Sequence, residues 1–148
     1  MKAVTTLLVI ADDKKARFLE NLGVGKGLSE LSEMSASDFA DTEARYSDRP
    51  GRTQPGSGTA IHAVERTTSE ERQERQAFAR HVLTKIGQLM AEDGYERLAV
   101  TAAPRMLGEL RNEMGNDLKD KLAFDMDKDL IKVPLIKLVD HFKDKVAF

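Results

Sequence analysis

The chain contains no cysteine, and that absence removes disulfides, thiol nucleophiles and thiolate metal sites together. Its histidines, His62, His81 and His141, stand far apart and none has a histidine partner at helical metal-ligand spacing, so no zinc site is expected. No apolar run is long enough to span a bilayer. The longest N-terminal run, Val4 to Ala11, ends in Asp12, Asp13 and two lysines rather than a small-residue cleavage site; it reads as a strand without a secretion signal, and a cytoplasmic protein without membrane insertion is expected. Excess charge of one sign is also missing. The net charge is -2, so attraction to nucleic acid or an anionic membrane has to come from a local patch. No serine sits in a Gly-x-Ser-x-Gly elbow, which disfavours a serine hydrolase.

What is present is an ordinary balance for a folded protein: 148 residues, 41% hydrophobic and 32% charged, enough for one domain (1–148) to bury a continuous core. Thr5 to Ile10 is a continuous apolar, β-branched run, the pattern of a strand buried on both faces. After the polar turn Asp12, Asp13, Lys14, the residues Ala16, Phe18 and Leu22 suggest a second strand and hence a hairpin. Gly23, Gly25 and Gly27 punctuate the next turn, and Leu28 to Met34 reads as a third, more exposed strand. Those glycines lack the following helix that a dinucleotide fingerprint needs.

The segment 42–67 loses apolar periodicity and gathers Arg45, Arg49, Arg52, Arg66, Pro50, Pro55 and several glycines, including Gly56 and Gly58. A loop of that length is uncommon inside a compact domain and is a first place to look for function, the alternative being an idle insertion. Thr68 with Glu71 offers a capping box for the next helix, and Gly94 a C-terminal stop. Phe78, Val82, Ile86, Leu89 and Met90 form one apolar face, whereas the first turns are solvated: the second half packs and the first half projects. Leu98 to Ala102 follows as a strand whose simplest placement is parallel to the first. Pro104 then opens a helix bearing Met106, Leu107, Leu110 and Met114, Leu122 to Met126 forms a fifth strand, and Pro134 opens a final helix with Leu135, Val139, Phe142 and Val146 on one face. The expected fold is α/β: a mixed, mostly parallel sheet of about five strands flanked by helices.

Asp125, Asp127 and Asp129 alternate, so an extended backbone would put three carboxylates on one side, a candidate divalent-cation site. Leu130 and Ile136 stand where a calcium loop of the EF-hand type needs glycine and glutamate, and Lys128 lies among the acids; a solvated strand end is the alternative. His81, beside the apolar face of the long helix, reads as a packed residue before a general base. From Arg45 to Arg66 four arginines face Asp48 and Glu65, a local excess suited to phosphate contacts, with Tyr46 the one ring for base stacking.

Three features together resemble the bacterial host-attachment protein family. They are the first strand with Ala11-Asp12 and Ala16-Arg17-Phe18, the run Val100 to Arg111 with Ala103-Pro104-Arg105 at its centre, and Asp127-Lys128-Asp129-Leu130 with Pro134. The likeness covers nearly the whole chain. It implies a role in attachment to host cells and a fold similar to the middle domain of eukaryotic and archaeal release factors and Pelota. In that domain a Gly-Gly-Gln loop precedes a long helix. Here the corresponding stretch holds Gln54, Gly56, Ser57 and Gly58 and no Gly-Gly-Gln, so the resemblance does not extend to peptidyl-tRNA hydrolysis. The resulting expectation is a non-enzymatic, cofactor-free module that binds RNA or the ribosome through Arg45, Arg49, Arg52 and Arg66. A protein-interaction module in host-cell attachment and a metal-dependent enzyme using Asp125, Asp127 and Asp129 are the alternatives.

Overall fold

The computed structural model describes residues 3–39 and 60–148, with side chains from Thr68 onward in the second stretch. In chain order these form β1 (Thr6–Ala11), β2 (Lys15–Asn21), β3 (Ser29–Ser35), a 3-10 turn (Ala36–Phe39), α1 (Ala60–Asp93), β4 (Arg97–Ala102), α2 (Pro104–Glu113), α3 (Asn116–Lys121), β5 (Leu122–Met126), α4 (Leu135–Leu138) and a second 3-10 turn (Val139–Phe142). The strands make one sheet in the order β3-β2-β1-β4-β5. β2 pairs antiparallel with both β1 and β3, while β4 pairs parallel with both β1 and β5. The hairpin and the parallel crossover therefore stand as the pattern predicts. The sheet is evenly mixed rather than mostly parallel, because β3 adds a second antiparallel pairing.

Every residue of β1 is buried, as a central strand's continuous apolar run requires. Its alternate side chains feed two cores. Leu7 and Val9 join Phe18, Leu98 and Val100 beneath Phe78, Val82 and Ile86 of α1 and Met106 and Leu110 of α2. Leu8 and Ile10 join Leu19 and Ala99 beneath Leu130, Leu138, Phe142 and Phe148 of the C-terminal segment. Each fully buried side chain of this size contributes about 1.5–3 kcal/mol relative to exposure.

Two elements depart from the sequence reading. The long helix begins at Ala60, not at Thr68, so Arg66 lies on a helical backbone and the capping pattern of Thr68 and Glu71 falls in the helix interior. The reason is propagation: from Ala60 to Thr67 no glycine or proline interrupts, and a capping box marks a start only where the chain cannot continue upstream. The final helix predicted from Pro134 is instead one α-helical turn followed by a 3-10 turn. Its apolar face survives, with Leu138 and Phe142 buried and Leu135, Val139 and Val146 packed alongside.

That segment is held at both ends. Arg17, 7% exposed on β2, donates from Nη1 to the carbonyls of Val133 (2.7 Å) and Ile131 (3.3 Å) and pairs with Glu30 of β3. At the other end the Gly27 N–H donates to the Phe148 carbonyl (3.2 Å). Gly25 and Gly27 have φ of +81° and +72°, which glycine alone adopts without strain, so the β2–β3 turn can bend into place; the Asn21 amide closes it on the Gly27 carbonyl at 2.7 Å. Arg17→Ala should therefore cost about 2–4 kcal/mol, because it leaves two carbonyls and a carboxylate without their donor. Urea denaturation of the variant against wild type measures this.

Candidate functional site

Because β1, β4 and β5 are parallel, their carboxyl ends lie along one edge of the sheet, the edge at which open α/β sheets bind ligands. Each end feeds a polar turn. After β1, Asp12 Oδ1 accepts from the backbone N–H groups of Lys14 (2.8 Å) and Lys15 (2.7 Å), a side-chain-closed turn. After β4, the Ala103 N–H bonds the Ala11 carbonyl at 3.1 Å, and Pro104 starts α2 without a side-chain cap. After β5, the Thr101 hydroxyl donates to the Lys128 carbonyl at 2.8 Å and so pulls the chain across the end of β4. Between these turns lies an open crevice of about 440 Å³, lined by Asp12, Asp13, Lys14, Pro104, Arg105 and Asp129 among others.

The crevice has carboxylates and cations in near balance. Asp12 is consumed by its turn, Asp13 Oδ2 takes a bond from Arg75 Nη1 at 3.4 Å, and Asp129 Oδ1 accepts from the Ile131 N–H at 3.2 Å. Lys14 and Arg105 are exposed, and Lys14 reaches Glu74 of α1 at 3.7 Å. Such an arrangement suits a ligand or partner surface that is itself polar and mixed in charge.

Asp125, Asp127 and Asp129 are not brought together. β5 ends at Met126, so the alternation that would align the three carboxylates lapses just after Asp125. Asp125 and Asp127 line a separate concavity of about 450 Å³ with Arg111 and His141, whereas Asp129 faces the crevice beside Asp12. Among the described residues no group of three His, Asp or Glu side chains is placed to hold a metal ion. Asp125 is moreover engaged by the fork of Arg111, at 2.9 Å from Nε and 2.7 Å from Nη2. That hydrogen bond, with the neighbouring positive charge, holds the Asp125 carboxyl below the usual carboxylate range and raises the guanidinium above its own.

Arg45, Arg49, Arg52, Gln54, Gly56, Ser57 and Gly58 lie outside the described residues, and Arg66 is placed only as a helical position. His81 is half-buried and stacks on Phe39 with ring centroids 3.7 Å apart, a packing role. The residue that sequence reasoning missed is Arg75, set between Asp13 and Glu109. Its one signal was position, as the last charged residue before the apolar face that begins at Phe78.

The model of bacterial archaeo-eukaryotic release factor family 12 matches residues 5–142 of the chain. No curated protein gives a match. Among solved structures, the crystal structure of the type II variant of the Aquifex aeolicus Ppx/GppA phosphatase aligns at 15% identity and a TM-score of 0.37, covering 83% of this chain and 35% of that one. At that score the likeness bears on neither fold nor activity.

The Arg111–Asp125 pair yields a pH test. A depressed carboxyl contributes stability that is complete above the ordinary carboxylate range and is lost as pH falls through its folded-state value. The Arg111 side chain is 56% exposed, so solvent screening limits the pair to less than about 1 kcal/mol. Asp125→Asn should be less stable than wild type by that margin at pH 7, and the gap should close as the pH is lowered below the ordinary carboxylate range, followed by urea denaturation at each pH.

Proposed function

The chain belongs to bacterial archaeo-eukaryotic release factor family 12, and on that premise we propose that it acts in translation, as a module that binds the ribosome or RNA without hydrolysing peptidyl-tRNA. The family match over residues 5–142 carries the translational part of this reading. The non-catalytic part rests on the sequence, which has no Gly-Gly-Gln, so the glutamine with which a release factor positions its attacking water is not matched. Contact with RNA requires only cationic side chains that reach phosphates, and the segment 45–66 has four arginines against two acids. The balanced charge of the carboxyl-edge crevice supports assigning this contact to the arginine segment.

The second reading, a protein-interaction module in attachment to host cells, is supported by the sequence motifs at Ala11-Asp12, Ala103-Pro104-Arg105 and Asp127 to Leu130. It predicts a protein partner and no salt-sensitive ribosome association.

Co-sedimentation of the full chain with ribosomes across a salt series separates the two. Binding should weaken with salt, and because Arg45, Arg49, Arg52 and Arg66 can neutralise at most four phosphates, the slope of log K against log[salt] should be no steeper than roughly -3 to -4. Arg49→Ala with Arg52→Ala should flatten it by roughly 1.5 and lower affinity at low salt. Binding that is unchanged in the double variant removes the arginine mechanism.

A further inference from the structure

α1 runs for 34 residues, but its side chains divide sharply. From Phe78 onward Phe78, Ala79, Val82 and Ile86 are buried against the sheet, whereas residues 68–74 are all exposed. Arg75 stands at the boundary with its side chain 11% exposed. Its Nη1 lies 3.4 Å from Asp13 Oδ2 in the β1–β2 turn, and its Nε lies 4.0 Å from Glu109 Oε1 on α2, a carboxylate equally shielded. That Nε is buried and has no hydrogen-bond partner among the described residues.

The contrast with the other arginines is informative. Arg111 grips Asp125 at 2.7 and 2.9 Å while more than half exposed, and Arg17, about as buried as Arg75, satisfies two carbonyls and a carboxylate. Arg75 is thus buried like the second but bonded more loosely than either. A guanidinium removed from water and left under-bonded loses most of what its ion pairs return, so such a site contributes little to stability. What it does provide is a shielded joint between three elements that otherwise meet through the apolar face beginning three residues later and through the more exposed pairs Lys14–Glu74 and Arg80–Glu113.

We propose that Arg75 is a releasable latch: shared between Asp13 and Glu109, it sets the direction in which the exposed first half of α1 leaves the body of the fold. The segment 40–59 enters the helix at Ala60, so the latch also governs the half of the helix into which that segment runs. Arg75 is a positioning residue, assisted at the surface by the exposed Lys14–Glu74 pair at 3.7 Å. The inference stands on geometry alone and is independent of whether the chain binds ribosomes.

The double variant R75M/E109Q removes the charges while keeping side-chain volume, and hydrogen exchange on the full chain reads the result. Amides of residues 68–77 should exchange faster by about ten-fold while those of 78–93 and of the sheet keep wild-type rates, with the melting temperature shifted by no more than about 4 °C. If the double variant fails to fold, R75K carries the test, because lysine lacks the planar fork whose separate nitrogens face Asp13 and Glu109 and should give the same local rise. Unchanged exchange at 68–77 overturns the latch. So does a rise spread over the whole chain with a large fall in melting temperature, which would make Arg75 a support of the core.

Discussion

β1 has no exposed side chain, and a strand buried on both faces forces the molecule to build two covering layers. The first layer is easily supplied. α1 and α2 present apolar stripes at helical spacing, and α2 also buries Met114 just past its end. The second has to come from the last stretch of chain, which has no long helix to offer. It covers Leu8, Ile10 and Leu19 with short turns and relies on outside anchors: the Arg17 guanidinium at Ile131 and Val133, and the Gly27 N–H at Phe148. Phe142 then stacks edge-on against Phe148 at 5.7 Å and lies 5.9 Å from Phe124. A polar bond made by one buried arginine thereby secures an apolar layer that could not hold its place by helical hydrogen bonds alone.

The parts of the fold legible in the sequence are those governed by local periodicity. Thr5 to Ile10 reads as a central strand and the strand runs one residue later, from Thr6 to Ala11, while Leu122–Met126 was bounded correctly. The parts that were not legible depend on context that a window does not contain. A capping box at Thr68 is a valid start signal, yet the helix runs through it because nothing from Ala60 onward stops it. The alternation of Asp125, Asp127 and Asp129 is a valid strand pattern, yet the strand stops at Met126, where Thr101 draws Lys128 across the end of β4. The pairing of Arg75 was not legible for another reason: its partners Asp13 and Glu109 are distant in sequence and adjacent only once α1 and α2 pack.

Three motifs singled out in the sequence fall together in space. Asp12 closes the turn after β1, Arg17 holds the strand beside it, Ala103-Pro104-Arg105 opens α2 after β4, and Asp127 to Leu130 follows β5. All lie at the carboxyl edge or bind chain that crosses it. Several of these residues have evident architectural work: Asp12 forms its turn, Arg17 anchors the C-terminal segment, and Ala103 bonds Ala11 across the two parallel strands. Motifs made of such residues describe how the edge is built, which is a statement about the fold.

Membership in the family does not by itself fix the chemistry of this edge. The carboxylates near the edge are engaged by the chain itself: Asp12 in a turn, Asp13 with Arg75, Asp129 with a backbone N–H and, in the separate concavity, Asp125 with Arg111. What remains exposed there, Lys14 and Arg105 against three carboxylates in the same crevice, produces no net field that would draw a polyanion. A net charge of -2 over the chain adds no long-range attraction. Local excess positive charge lies in the arginine segment, with four arginines against two acids from 45 to 66, and equally in residues 130–148, with four lysines against two aspartates. A release-factor-like fold fixes how this edge is built, while what the edge meets depends on side chains that the fold leaves free to vary.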